Sequence, residues 1–219
     1  MIIEKSTIDF LKELASNNNR IWFNANKEKY AKAYNNMLEV SDIVLSGIEK
    51  FDRSLVGIKA KDCIFRIYKD TRFSKDKNPF KLNFGAFFKK GIKNEPGSGY
   101  YLHIEPNASM IGVGIYMPPS LVLSKIRKAI IENSKELKKI LNSKNFKETF
   151  GELGGEKLKT APKGISKDHP EIELLKLKHY VVMKGFSDKE VLGKEFIPDI
   201  LSDFKAALGF NEWLNRKVI

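Results

Sequence analysis

Residues 63–88 read CIFRIYKDTRFSKDKNPFKLNFGAFF, and the fold turns on how this stretch is read. An apolar run, Ile64, Phe65 and Ile67, leads into a segment crowded with Arg66, Lys69, Asp70, Arg72, Ser74, Lys75, Asp76, Lys77, Asn78, Pro79 and Lys81. A second apolar run, Leu82, Phe84, Ala86, Phe87 and Phe88, leads out. The simplest reading is two strands that hold out a basic loop. Working outward, the sequence predicts strands at 63–69, 82–88, 99–105 and 111–117. Gly91, Pro96, Gly97, Gly99, Pro106, Pro118 and Pro119 punctuate them. Connections this short favour antiparallel neighbours.

Helices are expected on both sides of this middle. Ser6 or Thr7 caps a helix through Ala15 with Ile8, Leu11 and Leu14 on one face. Asn17, Asn18 and Asn19 end it. A long helix is predicted from Trp22 to Phe51, because Tyr30, Tyr34, Met37, Ser41, Val44 and Ile48 recur at helical spacing. The connector 52–62 carries a short strand at Leu55 to Ile58. Beyond the sheet, Val122, Ile126, Ala129 and Ile130 mark a helix over 120–133. Shorter helices follow at 134–142 and 145–153, the second ended by Gly154 and Gly155. An extended loop runs from Leu158 to Lys167. His169 and Pro170 open a short helix through Leu177. A last strand covers 179–183, Asp188 caps 189–192, and a terminal helix covers 196–216. No repeat and no long linker interrupts the chain. The expected architecture is α+β: a single domain, residues 1–219, with a mainly antiparallel sheet packed by several helices.

At 219 residues and 42% hydrophobic the chain can bury a sizeable core. The single cysteine, Cys63, excludes an internal disulfide and, lying in an apolar run, reads as an inert buried thiol. Met1 to Lys12 mixes apolar and charged residues, which argues against a signal peptide. No apolar run reaches the roughly 18 residues of a membrane span. The expectation is a cytoplasmic protein with no membrane partner. The net charge of +12 is unevenly spread: residues 63–99 hold nine basic and three acidic groups, half of the excess. Such a focused potential attracts a small anionic or phosphorylated ligand, nucleic acid, or another acidic partner. The plainer alternative is a lysine-rich solvated surface.

Strand alternation sorts the middle residues by face. Tyr101, His103 and Glu105 share one face of 99–105, while Tyr100, Leu102 and Ile104 share the other. A polar concavity would then be lined by Arg66, Tyr68, Asn83, Tyr101, His103, Glu105 and Tyr116, with Gly112 and Gly114 leaving room for a ligand. The candidate anion-binding residues are Arg66, Lys69, Arg72, Ser74, Lys75, Lys77, Lys81, Tyr101, His103 and Tyr116. Arg66 or Arg72 would hold a phosphate or carboxylate bidentately. His103 is the candidate acid or base, oriented by Glu105 or a carbonyl. The structural alternative is that these groups satisfy one another, with Arg66 paired to Asp70 or Glu105.

Phe73 and Phe80 in the basic run suit either stacking on nucleic-acid bases or burial in the core, and burial is the preferred reading. A second lysine stretch, Lys157, Lys159, Lys163, Lys167, Lys176 and Lys178, would extend a phosphate-binding surface. There is no glycine-rich phosphate loop, dinucleotide fingerprint or Gly-x-Ser-x-Gly elbow. Three histidines (103, 169 and 179) without useful cysteines argue against a zinc site. No cofactor is indicated, and no reaction. A small-anion binding module or enzyme, a nucleic-acid-binding protein and a catalytically silent interaction domain all remain open.

Several long stretches occur in a fixed order: FLKELASNNNRIWFNANKEKY, FRIYKDTRFSKDKNPFK, GAFF, GYYLHIEP, GIYMP and KLKTAPKGISKDHPEIELLKLKHYVV. In these the chain resembles the uncharacterised family called domain of unknown function 2461, from about Ile8 to about Phe210. The resemblance implies a single intracellular α+β domain. It carries no activity, cofactor or catalytic residue with it.

Overall fold

The computed structural model describes residues 2–218 apart from 71, 73–76 and 92–94. The N-terminal part forms α1 (Lys5–Ser16), α2 (Arg20–Ala25), α3 (Lys27–Glu49), a 3-10 turn (Arg53–Leu55) and α4 (Ala60–Cys63). Then come β1 (Phe84–Phe88), β2 (Gly99–Ile104) and β3 (Ser109–Ile115). Next are α5 (Ser120–Glu132), α6 (Lys135–Leu141), α7 (Lys144–Phe150) and α8 (Ile172–Leu175). The chain closes with β4 (Tyr180–Phe186), α9 (Asp188–Val191), α10 (Phe196–Ala206) and α11 (Leu208–Val218). The strands form one antiparallel sheet in the order β1-β2-β3-β4, so the fold is α+β as expected. Helix makes up 50% of the described residues against 14% strand.

The chain divides into two compact units. The first comprises Met1–Phe88, Tyr101–Ile111 and Gly185–Ser202. Here α1 lies on α3, burying Ile8, Leu11 and Leu14 against Met37, Val40, Val44 and Ile48. Buried Asn36 fixes the chain's start: its Oδ1 accepts from the Glu4 amide (2.9 Å) and the Thr7 hydroxyl (2.8 Å), and its Nδ2 donates to the Ile2 carbonyl (3.0 Å). Thr7 is therefore a tertiary contact and not the cap of α1.

The second unit comprises Lys89–Tyr100, Gly112–Lys184 and Asp203–Ile219. In it α11 packs on α5 and α6, with Ile126, Ile130, Leu137, Phe146, Phe210 and Trp213 in its core. Arg127 donates to the Leu175 and Leu177 carbonyls (2.8 and 3.2 Å), and the Tyr180 hydroxyl donates to the Leu174 carbonyl (2.8 Å), tying α8 in place.

Several expectations need correction. Residues 63–69 are not a strand. Cys63 ends α4, and only isolated bridges, Ile64 to Ala86 and Tyr68 to Phe80, pair the segment. Four steps along one side face six along the other, so no regular ladder can run between the bridges. No strand forms at 55–58, where the 3-10 turn stands instead with Asp52 as its cap. The long helix divides at Asn26, whose Nδ2 donates to the Trp22 carbonyl (2.9 Å), a local bond that competes with helix continuation. Helix α7 ends at Gly151, which takes the left-handed φ of 70°. The cap of α9 is Ser187, in a reciprocal capping box with Glu190, not Asp188. The C-terminal helix is two helices, α10 and α11, divided at Ala207.

Candidate functional site

The site is built on β2. Its burial alternates: Tyr100, Leu102 and Ile104 are fully buried, and Tyr101 and His103 face the other way with Glu105 just beyond the strand. Successive side chains on one face of a strand stand about 7 Å apart, a gap that long polar side chains can close. The Tyr101 Oη lies 2.9 Å from His103 Nδ1, and His103 Nε2 lies 2.7 Å from Glu105 Oε2. A carboxylate only accepts, so Nε2 carries the proton of the neutral ring. Nδ1 is then left to accept from the tyrosine. Burial first, and the Glu105 charge second, push the Tyr101 phenol up to about 12, so it stays protonated and donates.

Neighbouring residues hold this line in place. A Cβ at Gly85 on β1 would stand 2.8 Å from the Tyr101 Oη and 3.2 Å from the Phe65 ring, so only glycine clears the space both rings use. Phe65 meets Tyr101 edge-on at 6.2 Å, and Lys81 Nζ stands 5.3 Å from the Phe65 ring centroid. At the other end, Ser109 Oγ donates to the Glu105 carbonyl (2.9 Å) and accepts from the Glu105 amide (3.1 Å). The hairpin tip turns at Asn107, with φ of 62°, whose amide donates to Asp188 (2.7 Å).

The other expected site residues are distributed as follows. Arg66 is exposed, and Lys69 and Lys81 are half-buried on the same arm. Arg72 grips Asp70 bidentately (3.0 and 2.8 Å). Hydrogen bonds from the Arg72 side chain first, and its amide second, hold the Asp70 carboxyl down to about 2, with a smaller effect of the Arg66 charge. Lys77 is exposed. Ser74, Lys75 and Phe73 lie outside the described residues. Tyr68 stands with the aromatic cluster of Phe23 and Phe80, at 5.9 and 5.3 Å. Phe80 is buried, stacked on Phe23 at 4.0 Å. Asn18 clamps it by accepting from its amide (3.1 Å) and donating to its carbonyl (3.0 Å).

Tyr116 belongs to the second unit, exposed and packed on His179 at 4.7 Å. His179 Nδ1 accepts from the amide of Met117 (3.1 Å), which is exposed at φ of 48° and not on the apolar strand face. Of the two glycines of β3, Gly114 does not make room for a ligand. The main-chain carbonyl of Val182 lies 3.5 Å from where a Gly112 Cβ would be, and the carbonyl of Tyr180 occupies the same place at Gly114. Half of the second lysine stretch is paired with carboxylates, while Lys159, Lys163 and Lys167 are exposed. Lys157 and Lys176 meet Glu173 (2.7 and 3.7 Å), and Lys178 meets Glu156. His169 accepts from the Glu171 amide (3.0 Å) beside α8, a helix-start role.

Sequence reasoning missed the bond from Tyr101 to His103, although three polar residues at i, i+2 and i+4 of one strand were its signal. It also passed over Lys89, a buried residue whose ammonium donates to the Lys90 carbonyl (3.1 Å) and whose pKa burial lowers, against the opposing charge of Glu95. Among the described residues no group of three or more His, Cys, Asp or Glu side chains could hold a metal ion, and no helix is long and apolar enough to cross a membrane. No curated protein and no solved structure matches the chain. The family model for the conserved hypothetical proteins DUF2461 matches residues 6–213, and the chain belongs to that family.

Proposed function

We propose that this DUF2461 protein binds a small anionic ligand, with phosphorylated compounds as the leading class, on the outward face of β2. The observation that carries this reading is the unbroken line Tyr101–His103–Glu105 running beside a cationic arm. The negative charge of Glu105 is directed at His103, so the anion belongs at the other end, beside Phe65. There Lys81 lies over the ring and Arg66 stands exposed in the next position. Guanidinium and ammonium groups in such a setting hold phosphate or carboxylate oxygens by charge-assisted hydrogen bonds. The reading uses residues of the first unit only. Arg72, engaged by Asp70, and Lys157, Lys176 and Lys178, each paired with a carboxylate, do not favour an extended nucleic-acid surface.

Thermal unfolding against inorganic phosphate, nucleotides, sugar phosphates and short oligonucleotides, at low and moderate salt, tests the reading. A small phosphorylated compound should raise the midpoint by mass action, and the combined Arg66→Glu and Lys81→Glu change should abolish the shift. A shift that survives the charge reversal rejects this location. A shift with oligonucleotides alone, erased by salt, transfers the reading to nucleic acid.

A further inference from the structure

Both ring nitrogens of His103 are engaged, Nδ1 by Tyr101 and Nε2 by Glu105, and its side chain is only 11% exposed. The imidazole therefore does not present a free nitrogen to a bound ligand. Glu105, at 32%, is the wetter end of the line. The far end is a hydroxyl that donates to a base, and a carboxylate orients that base. This is the general arrangement of an activated oxygen nucleophile. The titratable groups that bond His103 are Tyr101 and Glu105, and Lys81 stands beyond them on the Phe65 ring that meets Tyr101.

We propose that Tyr101, not His103, is the reacting group of this site: a tyrosine nucleophile for phosphate esters, with His103 as its base and Glu105 as a positioning residue. For its ligand class the inference rests on the anion reading above. In the step, the Tyr101 oxygen attacks phosphorus and an O–P bond forms while the ester's own P–O bond breaks. The phenol proton passes to His103 Nδ1, giving an imidazolium held by Glu105, while the alkoxide departs on the side of phosphorus opposite Tyr101 and takes its proton from a water molecule. The hydroxide so formed then attacks phosphorus from that side. This restores the Tyr101 hydroxyl, which takes its proton back from His103, and frees inorganic phosphate.

The test uses the full chain and phenylmethanesulfonyl fluoride, with labelled peptides read by mass spectrometry. The Tyr101 oxygen forms the O–S bond, fluoride leaves, and His103 takes the proton. Tyr101 should be labelled about a hundredfold faster than exposed Tyr116. The rate should rise with pH through the imidazole range, and His103→Gln should remove that rise. Glu105→Gln should move the rise to lower pH, since the imidazolium loses its carboxylate, an effect that loss of packing alone would not produce. Labelling of Tyr101 no faster than Tyr116, or equally fast in His103→Gln, overturns the proposal. If His103→Gln does not fold, the wild-type pH profile decides, because a rate rising only at phenol ionisation overturns it equally. Inorganic phosphate should slow the labelling. His103-dependent labelling that phosphate leaves unchanged, with no phosphate shift in melting, removes the anion reading and the ester substrate while Tyr101 stands as the nucleophile.

Discussion

At the residue scale, Tyr101 is held in its neutral form by its surroundings. Its phenol moves from 10.0 to about 12, through burial and then the Glu105 charge. A raised folded-state value means the associated stability is complete below pH 10.0 and is lost as pH rises through about 12. Alkaline unfolding of the wild type should therefore steepen in that window relative to Tyr101→Phe, and the 295 nm difference titration between the two should show one phenol ionising near its upper end. Asn36 is the second residue on which much depends. Asn36→Ala leaves the Thr7 hydroxyl, the Glu4 amide and the Ile2 carbonyl without their partner. The expected loss, measured by urea unfolding, is about 2–4 kcal/mol.

At the element scale, the neck of the basic loop is held by a side chain standing in for a strand. The Asn18 amide offers Phe80 one acceptor and one donor, as a paired peptide group would. Asn18→Ala should cost about 1–3 kcal/mol and should raise hydrogen exchange at the Phe80 amide well above that of the β2 amides. The stripe from Tyr30 to Ile48 was legible in the sequence, because alternating steps of four and three cannot fall on one face of a strand, whose side chains repeat every second residue. The segment 63–69 was not: a short apolar run looks the same whether it pairs along its length or only at two bridges. The split at Asn26 was equally hidden, since it depends on one side chain reaching back to Trp22. Of the site, the shared face of Tyr101, His103 and Glu105 followed from the two-residue period of β2. The contact from Tyr101 to His103 did not, because it depends on Gly85 from another strand clearing the space.

At the scale of the whole molecule, half of the +12 net charge lies in residues 63–99. Ligand linkage should expose this in a bulk measurement. At a hundredfold excess over its dissociation constant, a phosphorylated ligand adds about 2.7 kcal/mol to the unfolding free energy. Sodium chloride should reduce that gain more for the wild type than for the Arg66→Glu and Lys81→Glu variant. The approach of β4 to Gly114, by contrast, is indifferent to salt and bears on descent. Gly114 has φ of 135° and the Tyr180 carbonyl where a side chain would begin. Gly112 has only ordinary van der Waals neighbours, at 3.5–3.6 Å. Two glycines two positions apart therefore differ in what they tolerate. In a library randomised at both codons, survivors should carry alanine or serine at 112 freely and almost nothing but glycine at 114. A lineage that lost Gly114 would have to widen the spacing of these two strands before it could use any other residue there.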